Sequence, residues 1–105
     1  MSEPENKPWK FPDSRVLTEP ERQKLTRMLY YALLEIRALG YEGKTEQAAD
    51  LADAFHNLPA YLWREEFSFG FFRIFLEAYH QKYAEAGVKF NYLGMLDEIT
   101  GQSAR

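Results

Sequence analysis

One stretch constrains this chain more than any other: Phe67 to Tyr83, where Phe67, Phe69, Phe71, Phe72, Phe75, Tyr79 and Tyr83 place seven rings in seventeen residues. No period-two alternation runs through it, and the spacing predicts one helix over roughly 67–86, ended by Ala86-Gly87. Around that helix Phe69, Phe72, Phe75, Leu76, Tyr79 and Tyr83 share an arc of about 120°, the width of a core-facing stripe. Phe67, Phe71, Ile74 and Ala78 occupy a second side. Only Arg73, Glu77, His80 and Gln81 form a polar face. A helix with so little polar circumference is central, or is capped by another chain. Ser68 and Gly70 are expected to interrupt or kink its start, since Gly weakens a helix interior by roughly 1 kcal/mol against Ala.

The remaining segments build a shell around it. Thr18-Glu19-Pro20-Glu21 reads as a capping box with Pro in the first turn, so a first helix should run from about Glu19 to Leu39 and stop at Gly40. Leu25, Met28, Leu29, Ala32, Ile36 and Leu39 fall on one face of it. Tyr30, Leu34 and part of Tyr31 lie elsewhere, so the helix sits between two neighbours or offers a second face to a partner. Thr45 is a plausible N-cap for a helix reaching about Asn57, with Ala48, Leu51, Ala54, Phe55 and Leu58 inward. Pro59 opens a short helix from Ala60 to Glu66. Asn91 caps a last helix, Tyr92 to Thr100, which Gly101 closes. The expected fold is all-α: a compact bundle of four to five helices over 17–101, an N-terminal arm over 1–16 and a loose tail over 102–105. Pro4, Pro8 and Pro12 keep the arm out of helix, yet Trp9 and Phe11 within it suggest docking on the body.

Charge and composition exclude several function classes. The net charge is −3, with pI near 5.4, which disfavours general nucleic-acid binding. Cysteine is absent, so no disulfide, thiolate metal site or Cys nucleophile exists, and a reducing cytoplasm is the expected location. The N-terminal residues lack the apolar core of a signal peptide, and no apolar run approaches the roughly 18–20 residues of a membrane span. Residues 21–45 carry five basic against three acidic side chains, and residues 46–66 carry one basic against five acidic. Such segments most often make solvated faces that attract each other weakly.

The stretch from Ala38-Leu39-Gly40 through Ala48-Ala49-Asp50-Leu51-Ala52-Asp53-Ala54-Phe55 to Pro59 resembles a single tetratricopeptide-type helical hairpin. The matching features are Leu-Gly at the end of one helix, then Ala, Ala and Phe in the next, and a closing Pro. The resemblance implies a way of packing two helices. No second copy follows, and an array needs about three repeats to bury a continuous core. The chain is also similar to small bacterial helical proteins, which implies no activity.

Two acid-x-x-His pairs, Asp53/His56 and Glu77/His80, could each offer a carboxylate and an imidazole from one helix face. With Glu35, Asp97 and Glu98 they resemble the inventory of a di-iron carboxylate bundle. Both pairs fall on polar helix sides, however, which favours solvated ion pairs. No catalytic spacing or phosphate loop is present, so the reading is non-enzymatic and without a cofactor. The rings that one small core cannot hide point to a protein interface, with the chain itself as a possible partner in a homodimer. The expected surface comprises Tyr30, Leu34, Arg37, Tyr61, Trp63, Arg64 and Phe67. The rival reading is a small-molecule or metal-binding bundle around Glu77, Tyr79 and His80. A further one is an immunity-type partner that neutralises a toxin through Glu46, Asp50 and Asp53.

Overall fold

The structure is a computed structural model that describes residues 12–63 and 66–101. Trp9, Phe11, Arg64 and the 102–105 tail lie outside the described residues. The described chain is all-α, with α1 over Glu19–Tyr41, α2 over Thr45–Phe55, α3 over Leu58–Trp63, α4 over Phe69–Lys82 and α5 over Tyr92–Thr100. None of these helices is long and apolar enough to cross a membrane.

The capping box opens α1 as its sequence predicts. The Thr18 hydroxyl accepts from the Glu21 amide at 3.3 Å, and the Glu21 carboxylate accepts from the Thr18 amide at 2.9 Å. Arg15 adds a two-pronged pair to the same carboxylate, at 2.8 and 2.7 Å. These donors push the Glu21 pKa down to about 2, with the Arg15 hydrogen bond the largest cause. The helix does not stop at Gly40. It continues to Tyr41, and the turn falls at Gly43, whose φ of 78° an L side chain rarely adopts. Helix α2 starts at Thr45 itself, with Lys44 before it as a cap that makes no side-chain bond. It ends at Phe55 because α3 begins at Leu58, two residues earlier than the position of Pro59 suggests. The Asn91 side chain caps α5 by accepting from the Gly94 amide at 3.0 Å, and Gly101 ends it at φ 80°.

The aromatic segment departs from expectation at its start. Phe67 is not helical. It pairs in antiparallel fashion with Arg15, its amide donating to the Arg15 carbonyl at 2.8 Å and its carbonyl accepting from the Arg15 amide at 3.1 Å. Ser68 then caps α4 by accepting from the Phe71 amide at 3.0 Å. The Ser68 hydroxyl donates in turn to Asp13, whose other oxygen accepts from the Gly70 amide at 3.0 Å. Ser68 is thus the N-cap of α4 rather than an interruption, and a side chain from across the fold completes the cap. Burial follows this geometry. Phe67 is 3% exposed, wedged among Tyr61, Phe69 and Phe72 at centroid distances of 5.0–5.7 Å. Phe75, expected on the core arc, is 41% exposed. The core instead takes Phe69, Phe72, Leu76 and Tyr79 from α4, and they meet Leu25, Met28, Ala32, Leu51, Phe55, Tyr92 and Leu96.

Helices α1 and α2 form the most extensive pairing, and α4 packs on α2 and α5. An Arg73–Asp97 ion pair ties α4 to α5. The Arg22 guanidinium donates to the Leu62 carbonyl and ties α3 to α1.

The depressed pKa of Glu21 yields a prediction. Its stabilisation is complete above its ordinary value of 4.5 and is lost as pH falls towards about 2. In urea titrations Arg15→Ala should be less stable than the parent at pH 7, and the gap should narrow steadily between pH 4.5 and 2. A gap that stays constant across that range would contradict the linkage.

Candidate functional site

Two features of the described residues are not explained by apolar packing alone. The first is Glu35. It lies on the same face of α1 as Met28, Ala32 and Leu39, and it is 0% exposed. A buried carboxyl needs partners to offset its desolvation. It accepts from the Tyr92 hydroxyl at 2.6 Å on one oxygen, and from the Tyr79 hydroxyl at 2.8 Å and the Lys89 amide at 3.1 Å on the other. The Tyr79 oxygen accepts from the Gln47 side-chain amide at 3.0 Å, and that same amide donates to the Gly87 carbonyl at 3.0 Å. One network therefore ties α1, α2, α4, α5 and the 87–89 link together. Burial raises the pKa of both hydroxyls above the ordinary value of 10, and the hydrogen bonds to Glu35 raise them further. Chemically the arrangement holds protons on two phenols and presents them to one carboxyl, with each carboxyl oxygen already occupied.

His80 stands beside this network. Its ring centroid is 5.9 Å from that of Tyr92 and 6.2 Å from that of Tyr79. Its Nε2 is buried and has no hydrogen-bond partner among the described residues. Desolvation lowers its pKa below 6.5, opposed by the charge of Glu35. The ring is thus half-buried against aromatic neighbours, not on the open polar face expected of it. Glu77 is exposed. Asp53 is exposed on α2, and His56 Nδ1 sits 2.8 Å from the Asp53 carbonyl, not its carboxylate. Among the described residues no group of three or more His, Asp or Glu side chains is placed to hold a metal ion. The acidic face of α2 is engaged internally: Lys82 reaches Glu46 at 3.1 Å and Asp50 at 2.8 Å, and the Tyr83 hydroxyl donates to Asp50.

The second feature is the outer side of α1. Tyr30, Leu33, Leu34 and Tyr41 are all exposed, and Arg37 lies among them with its guanidinium 5.1 Å from the centre of the Tyr41 ring. At about 100° per residue this stripe lies opposite the buried face of Leu25, Met28, Ala32, Glu35 and Leu39. Of the residues expected at an interface, Tyr30, Leu34 and Arg37 come together here. Trp63 is 80% exposed on α3, which Arg22 fastens about two turns before Tyr30. Tyr61 and Phe67 do not belong to this surface, because both pack into the core. Sequence reasoning missed Leu33, Tyr41 and the hub role of Glu35. The last was visible on a helical wheel, where Glu35 stands seven residues from Met28, three from Ala32 and four from Leu39.

Compared with protein-family models, curated proteins and solved structures, the chain matches none.

Two outcomes follow from the network. Glu35→Ala strips two buried hydroxyls, those of Tyr79 and Tyr92, and the part-buried Lys89 amide of their acceptor; at about 1–3 kcal/mol for each buried donor, urea denaturation should show a loss of about 2–6 kcal/mol, and a loss below about 1 kcal/mol would mean the network is dispensable. Because the phenols of Tyr79 and Tyr92 titrate above their ordinary value, the unfolded chain gives up these protons first, and stability should fall as pH rises beyond 10. Tyr92→Phe should blunt that fall, read by thermal melts between pH 8 and 11.

Proposed function

We propose that this protein is a non-enzymatic protein-binding module that self-associates through the outer stripe of α1. The observation that carries the reading is the second apolar side of a helix whose first side is already fully used by the core. Tyr30, Leu34, Arg37 and Tyr41 follow one another at spacings of four, three and four residues, the seam spacing by which two helices pack along each other. Leu33 broadens the seam, and the whole stripe spans about 16 Å of helix. Its chemistry suits recognition: two tyrosines and an arginine supply contact area with polar ends, as residues that dominate binding energy commonly do. The partner that fits is another amphipathic helix, and a second copy of α1 is the simplest one. Trp63 on α3 offers additional apolar surface towards the N-terminal half of α1.

Sedimentation velocity of the full chain across micromolar concentrations tests this. A concentration-dependent dimer is expected, and Leu34→Glu should weaken it at least tenfold by placing a charge at the centre of the seam. Trp63→Ala should have the smaller effect. A parent chain that stays monomeric throughout, or a dimer that Leu34→Glu leaves intact, would overturn the reading.

A further inference from the structure

The outer stripe of α1 is cationic as well as apolar. Arg27 and Arg37 are exposed along it. The helix offers them no exposed carboxylate, because beyond Glu21 its one acid is Glu35, which is buried on the opposite side. Two rows order the stripe, since residues seven apart return to almost the same side of a helix. Tyr30 and Arg37 form the central row, and Arg27, Leu34 and Tyr41 form the row on one flank of it. Each row has an arginine at one end and a tyrosine at the other, in opposite senses. The flanking row runs from Arg to Tyr and has its midpoint at Leu34. The central row runs from Tyr to Arg and has its midpoint between Leu33 and Leu34. The two rows therefore share a centre. Within the chain the stripe already sets cation against ring, with the Arg37 guanidinium 5.1 Å from the centre of the Tyr41 ring.

We infer that two copies of the chain pair antiparallel through α1 about a two-fold axis at Leu34, with Arg27 and Arg37 of each copy over Tyr41 and Tyr30 of the other. This rests on the self-association proposed above and gives it a direction. A two-fold axis perpendicular to the plane of two antiparallel helices sets each row against the same row of the second copy, read backwards. Arg27 and Tyr41 both stand seven residues from Leu34, about 10 Å along the helix on either side. Tyr30 and Arg37 stand four residues before it and three after it. Every arginine thus comes level with a ring of the second copy, and the electron-rich ring face takes the role that a carboxylate would play. A parallel pair sets equal residues level instead. Its central row would bring Arg37 onto Arg37, with no carboxylate on either stripe to offset the repulsion.

Site-directed crosslinking of the full chain reads the direction, and the absence of native cysteine makes it clean. Arg27→Cys and Tyr41→Cys chains are mixed at a concentration where sedimentation shows dimer, and a short bismaleimide is added. Intact-mass spectrometry should find the mixed adduct of one chain of each kind. Adducts of two Arg27→Cys chains should be absent, because in the antiparallel pair those positions lie about 21 Å apart along the helices. The mixed dimer keeps three of its four arginine–ring pairs, and both substitutions sit at exposed positions that leave folding intact. The sign of a charge change gives a second readout. Arg37→Gln removes two of the four pairs and should raise the dimer dissociation constant about five- to thirtyfold. Lys24→Gln, exposed but off the stripe, should leave it within about twofold. Adducts between two Arg27→Cys chains, no adduct at all from a dimeric mixture, or a dimer that Arg37→Gln tightens would each overturn the antiparallel pairing while self-association stands. A parent chain that stays monomeric would overturn both.

Discussion

The carboxyl of Glu35 is the point on which the rest of this structure depends. Among the described residues it is the one acidic group taken wholly out of water, and three donors from different parts of the chain converge on it. Apolar packing tolerates sliding, because one methyl group replaces another at small cost. A hydrogen-bond network does not, because a displaced donor is left buried without a partner. Tyr79 and Tyr92 must therefore present their hydroxyls at the level of Glu35, and this fixes the register of α4 and α5 along α1. Gln47 extends the same constraint to α2 and to the Gly87 carbonyl. The aromatic excess takes on a sharper meaning here: two tyrosines serve the core as hydrogen-bond donors as much as apolar bulk.

With that hub in place, the two sides of α1 divide their work. The inner side carries Glu35 and its apolar neighbours. The outer side carries Tyr30, Leu33, Leu34, Arg37 and Tyr41, which nothing in the core requires. Helix α4 shows a milder version of the same division, with its core residues on one side and Ile74, Phe75 and Ala78 on another. A bundle this small has limited interior, so rings beyond its capacity must remain outside or find cover from other parts of the chain or from another chain.

Local signals made much of this legible in the sequence. The capping box at Thr18, the Asn91 cap and the glycine stop at Gly101 each depend on neighbours three or four residues away, so α1 and α5 begin where the sequence says. The periodicity of α4 was legible for Phe69, Phe72, Leu76 and Tyr79. It misled for Phe75, because the helix turns its core side towards α2 and α5 and leaves Phe75 at the rim. Phe67 was misplaced for a different reason: its pairing partner is Arg15, far away in sequence, and no local pattern announces it. Gly40 shows the limit of a single-residue stop signal, since the helix passes through it when the following turn already has Gly43. The buried role of Glu35 was hidden by its residue type and revealed only by its position on the wheel.

The cap of α4 has a consequence for how the molecule assembles. Asp13 and Ser68 are 55 residues apart, so the first turn of the aromatic helix is completed by a side chain that arrives through long-range loop closure. The α1–α2 hairpin has no such requirement, since its partners are joined by a short turn. Contacts of short separation form with less loss of chain entropy and therefore sooner. The boundary of the aromatic helix, by contrast, rests on contacts distant in sequence: Asp13 completes the cap at Ser68, and the pairing with Arg15 holds Phe67 outside the helix. The short Asp13–Arg15 segment, remote from α4 in sequence, thereby decides where the aromatic helix starts.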